Sequence, residues 1–272
     1  MTESRRVPAS ELNRISRAGH RRAAELEAKL SCILEPILRS AGRDAAAAFM
    51  KRATDHLNAA AEPPQWTAPA PDEMLDVHSL AESIRTKTDP VRIAFIERMM
   101  TETLDLAGLS FDVSNPFTRK VLEQTGSQII GIAKSTQHRV MRIVWASYDE
   151  GLSIPDTAKA IRVGMAGASM SRARTIARSE IVSAANGGSL AAVQLVAVAT
   201  GTTYSKVWMT ASGAKHPRHA LYPGLDRQSV SLDAMFDVGG YSLEYPGDPN
   251  GPASETVSCR CALEYAESSD RA

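Results

Sequence analysis

From residue 10 to residue 200 the apolar side chains recur every three or four positions, and after Gly201 they alternate instead. A period near 3.6 belongs to amphipathic helices and a period of two to strands, so this change constrains the fold more than any other feature. It predicts an α+β chain: a mostly α-helical N-terminal and central body with a small C-terminal α+β module. Aromatic residues make up only 5% of the 272 residues while alanine is abundant, which favours close-packed helices over a β sandwich.

The first helical pattern, within residues 10–60, places Leu26, Leu30, Ile33, Leu34, Ile37 and Leu38 on one face, and Pro36 is expected to kink or break it. Arg14, Arg17, Arg21 and Arg22 make its entry basic, which suits a DNA or acidic partner surface or simply a solvated face. The proline-rich stretch EPPQWTAPAPDE reads as a semi-rigid connector. The segments expected are therefore a separable helical arm over 1–62, a linker over 63–73, a helical body over 74–200 and the small module over 201–272. In the body, Asn115 and Pro116 form a start signal for one helix running on through His138, a surface or core histidine. Ser153 and Asp156 stand at capping-box-like spacing. The turn VGMAGAS precedes SRARTIARSEIVSAAN, whose Ile176 and Ala177 point inward, and Asn186, Gly187 and Gly188 are expected to kink or end that helix.

In the module, TYSKVWMT alternates with Tyr204, Lys206 and Trp208 on one side, and YSLEY and VSCRCALEY read as further strands around the rigid turn PGDPNGP. On a strand, Cys259 and Cys261 face the same way and Arg260 the opposite way. Together with His216 and His219 they offer the thiolate and imidazole mixture of a tetrahedral zinc site. Packed free thiols, a disulfide between Cys259 and Cys261, or one from either to distant Cys32, are the alternatives for the 3 cysteines. The turn is expected to bring the cysteines beside the Trp208 strand, under the loop from His216 to Gly224. An enzyme would use His219 as a base, with Asp226, Asp237 or Asp248 to orient it and Arg218 to hold an anion. No spacing imposes that geometry.

The 31 basic and 31 acidic residues balance, so any nucleic-acid contact must be local. No signal-peptide-like run opens the chain, and its longest apolar run, Leu190 to Ala199, is about half of the ~20 residues that cross a bilayer. A reducing cytoplasm and no membrane are the expectation.

The order of five pieces, ARTIARSEIVSAANGG, KVWMTASGAKHPRHALYPG, AMFDVGGYSLEYPGDP, the Pro-Gly-Asp-Pro within it and ETVSCRC, resembles the phage Mu F-like minor head proteins of tailed phages. The resemblance covers residues 117–267 and falls on Arg178, Glu180, Trp208, Arg218, His219, Gly224, Phe236, Pro246, Gly247, Asp248, Pro249, Cys259 and Cys261. It departs at Thr210, Ala211, Ser212 and Gly213, where many relatives carry an acidic residue. It implies a non-enzymatic head morphogenesis protein of the virion, packaged in the capsid interior near the portal and present in the host cytoplasm during assembly. Its implied partners are the portal protein, the major capsid or scaffold protein, and double-stranded DNA. The alternative is a nuclease or toxin-like enzyme built on the C-terminal module.

Overall fold

The structure, a computed structural model, describes residues 5–59, 69–124, 126–211 and 218–267. Long helices form the body: α1 (Ala9–Ala59), α3 (Val77–Leu104), α5 (Ile129–Asp149) and α6 (Ile154–Thr200), with the short α2 (Pro71–Met74) and α4 (Pro116–Gln124) between them. The module holds β1 (Tyr204–Met209), β2 (Ser229–Ser231), β3 (Phe236–Val238), β4 (Tyr241–Leu243), the single-turn α7 (Ala253–Thr256) and β5 (Ala262–Glu267). A small sheet module packed against a helical body is the class the change of period predicts.

Pro36, expected to kink or break its helix, does not end it and lies inside α1, and a second proline, Pro90, is also carried within a helix, α3. Each is exposed, and so is the residue four back, Cys32 or Thr86, whose carbonyl loses its helical partner; that carbonyl is on the water side. The VGMAGAS segment makes no turn, since α6 runs through it, and Asn186, Gly187 and Gly188 do not end that helix. Conversely, the helix expected to run from Asn115 past His138 is divided into α4 and α5. Gly126, at φ 77°, takes the left-handed backbone between them, and a Cβ there would meet the Arg92 guanidinium at 2.5 Å. The start signal itself holds: the Asn115 side chain accepts from the Phe117 amide at 3.0 Å with Pro116 as the first helical residue. Ser153 likewise caps α6, accepting from the Asp156 amide at 3.3 Å.

Contacts divide the chain into two compact units that do not follow the expected boundaries at 62 and 73. One unit comprises residues 29–88 and 128–174. Its core joins Ala45, Ala46 and Phe49 of α1 to Met74, to Val140, Met141 and Val144 of α5, and to Ala158, Ile161 and Met165 of α6. Gly42 allows the helices to touch, because a Cβ there would sit 2.4 Å from Met165 Cβ.

The other unit comprises residues 1–28, 89–127 and 175–272, and carries the module. Its three-stranded antiparallel sheet has the order β2-β1-β5, with Trp208 opposite Leu263 and Lys206 opposite Tyr265. Tyr204, Lys206 and Trp208 share the buried face as the alternation predicts. β2 was not legible as a strand in the sequence, and YSLEY contributes β4 to a separate hairpin with β3, closed by Gly239 and Gly240 at positive φ. The outer edge of β5 is satisfied by side chains of α1. Asn13 donates to the Tyr265 carbonyl at 3.0 Å and accepts from its amide at 2.7 Å, and Ser16 donates to the Leu263 carbonyl at 2.7 Å. The start of the expected arm is thus tied to the last strand. Its basic entry is largely consumed there: Arg14 pairs with Glu11, Arg17 with Glu264 and Arg22 with Glu102.

By length and composition one helix among the described residues, α6, is apolar enough to cross a bilayer, but 78% of its most apolar window is buried inside the protein. That burial is what a core helix requires.

Candidate metal centre

The site begins with the turn before the cysteines. Asp248 accepts from the Glu244 amide at 2.8 Å and from the Asn250 amide at 2.9 Å, which fixes the Pro246-Gly247-Asp248-Pro249 turn. Gly247, at φ 81°, packs on α6: a Cβ there would lie 3.3 Å from the Ser183 amide nitrogen. α7 follows, and Ser258, at φ 59° with its amide held by Ser179 Oγ at 3.0 Å, turns the chain into the cysteines.

Cys259 and Cys261 therefore lie just before β5 rather than on a strand, a correction to the sequence reading. They still face inward together, both buried, with Arg260 exposed. Asn186 of α6 enforces this: fully buried, it donates to the carbonyls of Pro246 at 2.9 Å and Cys261 at 3.1 Å and accepts from the Leu263 amide at 2.9 Å. Its neighbour Gly187 cannot carry a side chain, since a Cβ would meet Val121 Cγ2 at 2.9 Å and the Tyr245 hydroxyl at 3.1 Å. Close approach, not a helix end, explains the Asn-Gly-Gly run.

A 3-10 turn over Arg218–Leu221 presents His219, 4% exposed, to the two sulfurs. Its Nδ1 lies 3.2 Å from Cys261 Sγ and 3.6 Å from Cys259 Sγ. Its Nε2 is 3.3 Å from Glu255 Oε2, and Tyr222 Oη donates to the same oxygen at 3.1 Å. The imidazole meets the Trp208 indole edge-on at 5.5 Å, and Trp208 meets Phe236 at 5.1 Å. A hydrogen bond from Cys259 lowers the Cys261 thiol to about 5, helped by His219 and opposed by burial. The same bond, with burial, pushes Cys259 up.

His219, Cys259 and Cys261 are all buried, with ligand atoms within 4.8 Å of one another, and this group can hold a metal ion such as zinc. A tetrahedral zinc with ordinary Zn–S and Zn–N bonds sets sulfur–nitrogen edges of about 3.5 Å. The distances here bracket that value, so the residues fit the ion. His216, the fourth ligand expected, lies outside the described residues. Cys32, by contrast, is exposed.

The remaining motif residues have structural partners. Arg218 grips α7 from the side, its guanidinium donating to the carbonyls of Ser254, Glu255 and Val257. Arg178 pairs with Glu27 at 2.6 Å, while Glu180 pairs with the buried Arg92, which also bonds Asp89. Arg174 is exposed. Gly224 takes φ 74°. None of the three carboxylates expected to orient His219 accepts a hydrogen bond from it: Asp226 bonds Thr210, Asp237 bonds the Gly240 amide and Asp248 holds its own turn. The carboxylate at His219 is Glu255, which the sequence did not mark.

Comparison of the chain with known protein families, with characterised proteins and with solved structures finds no match.

Proposed function

We propose that the chain is a minor head protein of a tailed phage, associating with the portal and the capsid or scaffold protein inside the head and assisting procapsid assembly or DNA handling. The observation that carries this reading is spatial. Motif residues from four separated segments converge on one buried group: Phe236 meets Trp208, Trp208 meets His219, and His219 meets Cys259 and Cys261, while the Pro246-Gly247-Asp248-Pro249 turn, Arg218 and α6 hold them. Such a set is a folding nucleus for a small module, as a structural role in an assembly asks for, and zinc is its staple. A module with three short strands and one hairpin has little core, and metal binding adds its free energy directly to folding.

Double-stranded DNA is the proposed nucleic-acid contact, on the α5–α6 hairpin. Over residues 128–174 there are seven Lys or Arg and three Asp or Glu, in a chain whose 31 basic and 31 acidic residues balance as a whole. Two experiments test the reading. Co-expression with portal and capsid proteins of the same genome is expected to carry this chain into portal-containing particles, and its exclusion from them ends the proposal. Elemental analysis of untagged protein is expected to give about one zinc per chain, the usual stoichiometry of such a site. Metal-free protein whose melting temperature ignores chelators removes the staple while leaving the head assignment to the first test.

A further inference from the structure

We infer that Glu255 is the positioning residue that makes His219 a metal ligand through Nδ1, an assignment that rests on the zinc reading above. A neutral imidazole carries one N–H, and which nitrogen bears it decides which lone pair is free to bind a metal. Here the two ring nitrogens face different chemistry. Nε2 is buried and makes no aligned hydrogen bond, with Oε2 of the buried Glu255 carboxylate 3.3 Å away as an acceptor that suits an N–H there, and Nδ1 lies 3.2 and 3.6 Å from the two sulfurs. A divalent, borderline-soft cation such as Zn²⁺ would be held by two sulfurs and Nδ1, with Glu255 behind the imidazole.

The carboxylate is itself fixed. Tyr222 Oη donates to Glu255 Oε2 at 3.1 Å, and Arg218 Nε stands 3.6 Å from the same oxygen while its other nitrogens bond the carbonyls around α7. Glu255 is only 5% exposed. A buried carboxylate beside a buried histidine, with only a partly exposed arginine and tyrosine near it, is costly unless it is paired, and carboxylate–histidine–metal relays supply such a pairing. The 3-10 turn and α7 thus form a second layer behind the ligands, and the sheet contributes Trp208, whose indole packs edge-to-face on the imidazole at 5.5 Å.

The test uses the full untagged chain. Zinc affinity is measured by competition with a chelating dye for the wild type, Glu255→Ala, Glu255→Gln and Tyr222→Phe, and folding is followed by thermal melts. Loss of the carboxylate is expected to weaken zinc binding about 10- to 100-fold, with the Gln variant intermediate and Tyr222→Phe closest to wild type. Nitrogen-15 NMR of the zinc-loaded wild type, which needs no variant, is expected to show Nδ1 bound to metal and a proton on Nε2. Wild-type protein with no zinc affinity overturns both the metal reading and this one. Wild-type protein that binds zinc through Nε2, or a folded Glu255→Ala that binds it undiminished, overturns the Glu255 assignment alone.

Discussion

The unit that carries the sheet and the α5–α6 hairpin of the other unit use charge in opposite ways. In the first, basic side chains are taken up by the fold: Arg17 by Glu264, Arg22 by Glu102, Arg92 by Glu180, Lys120 by Glu244 and Arg178 by Glu27. In the hairpin, none of Lys134, Arg139, Arg142, Lys159, Arg162, Arg172 and Arg174 has an ion pair among the described residues. Arg172 is half-buried and donates to uncharged acceptors, Ser135 Oγ at 2.5 Å and Ile132 O and Thr136 Oγ1 at 3.1 Å each, and burial together with Arg139 lowers its pKa. A paired charge inside a fold specifies structure; an unpaired one on a surface is available to an anionic partner. The comparison predicts that substitutions in the first region act on stability and that those in the second act on binding.

The largest effect is expected at Glu180. Its replacement by alanine leaves the fully buried Arg92 with only the more exposed Asp89, and removing one member of a buried pair costs about 3 kcal/mol or more. Urea unfolding measures it. A loss below ~1 kcal/mol would mean that Arg92 finds water or another acceptor, and that this unit is less tightly wired than its contacts indicate. Asn186→Ala comes next, at about 2–4 kcal/mol, because it strips partners from two carbonyls and one amide in a buried place. Asn186→Asp sharpens the point, since it keeps the acceptor for the Leu263 amide and loses both donors.

What could be read from sequence, and what could not, divides along the same physical line. The α+β class, the capped starts at Asn115 and Ser153 and the buried face of β1 follow from period and local chemistry, which are local signals, while the meeting of His219 with two cysteines follows from ligand type across about forty residues. Pro36, Gly164, Gly167, Gly187 and Gly188 were misread as breaks because propensity is a weak prior that packing overrides. At Gly187 the helix needs the absence of a Cβ, which only the position of Val121 and Tyr245 reveals. Glu255 and Tyr222 carried no mark, since their role exists only once α7 and the 3-10 turn are brought against each other across more than thirty residues. Asn186 was read as a helix breaker for the same reason: its three partners are about sixty and seventy-five residues away.

A smaller effect, with a pH signature, is expected at Lys206. It is fully buried on β1, with Nζ donating to the Glu244 carbonyl at 2.9 Å and lying 5.5 Å from the Phe236 ring centre. Burial lowers its pKa to about 8, with nearby acidic groups opposing. The folded state thus binds this proton less well than the unfolded chain does, so its stability rises as the pH climbs from about 8 towards 10.5 and the gain is lost as the pH falls back through 8. The rise is about 3 kcal/mol at most. Lys206→Met, which keeps the length and removes the charge, is expected to flatten this part of the stability–pH curve. An unchanged slope would assign the rise to other groups.

The smallest effect on stability is expected where the hairpin's charges are exposed. Arg142, Lys159 and Arg162 are on the surface and have no carboxylate partner among the described residues, so the triple alanine variant should melt within ~0.5 kcal/mol of the wild type. Binding is where the same variant must differ. Each cation that sits on a phosphate adds about 0.9 to the slope of log affinity against log salt, so removing three contacts lowers that slope by up to ~2.7 on duplex DNA. An Arg17→Ala, Arg22→Ala control removes charge from pairs already closed within the fold and is expected to leave the slope unchanged. If the control lowers the slope as much as the triple variant, paired and unpaired cations serve DNA alike and the contrast between the two regions fails. If duplex DNA binds to neither protein, the free cations of the hairpin have another anionic partner, for which acidic segments of portal or scaffold proteins are the next probe.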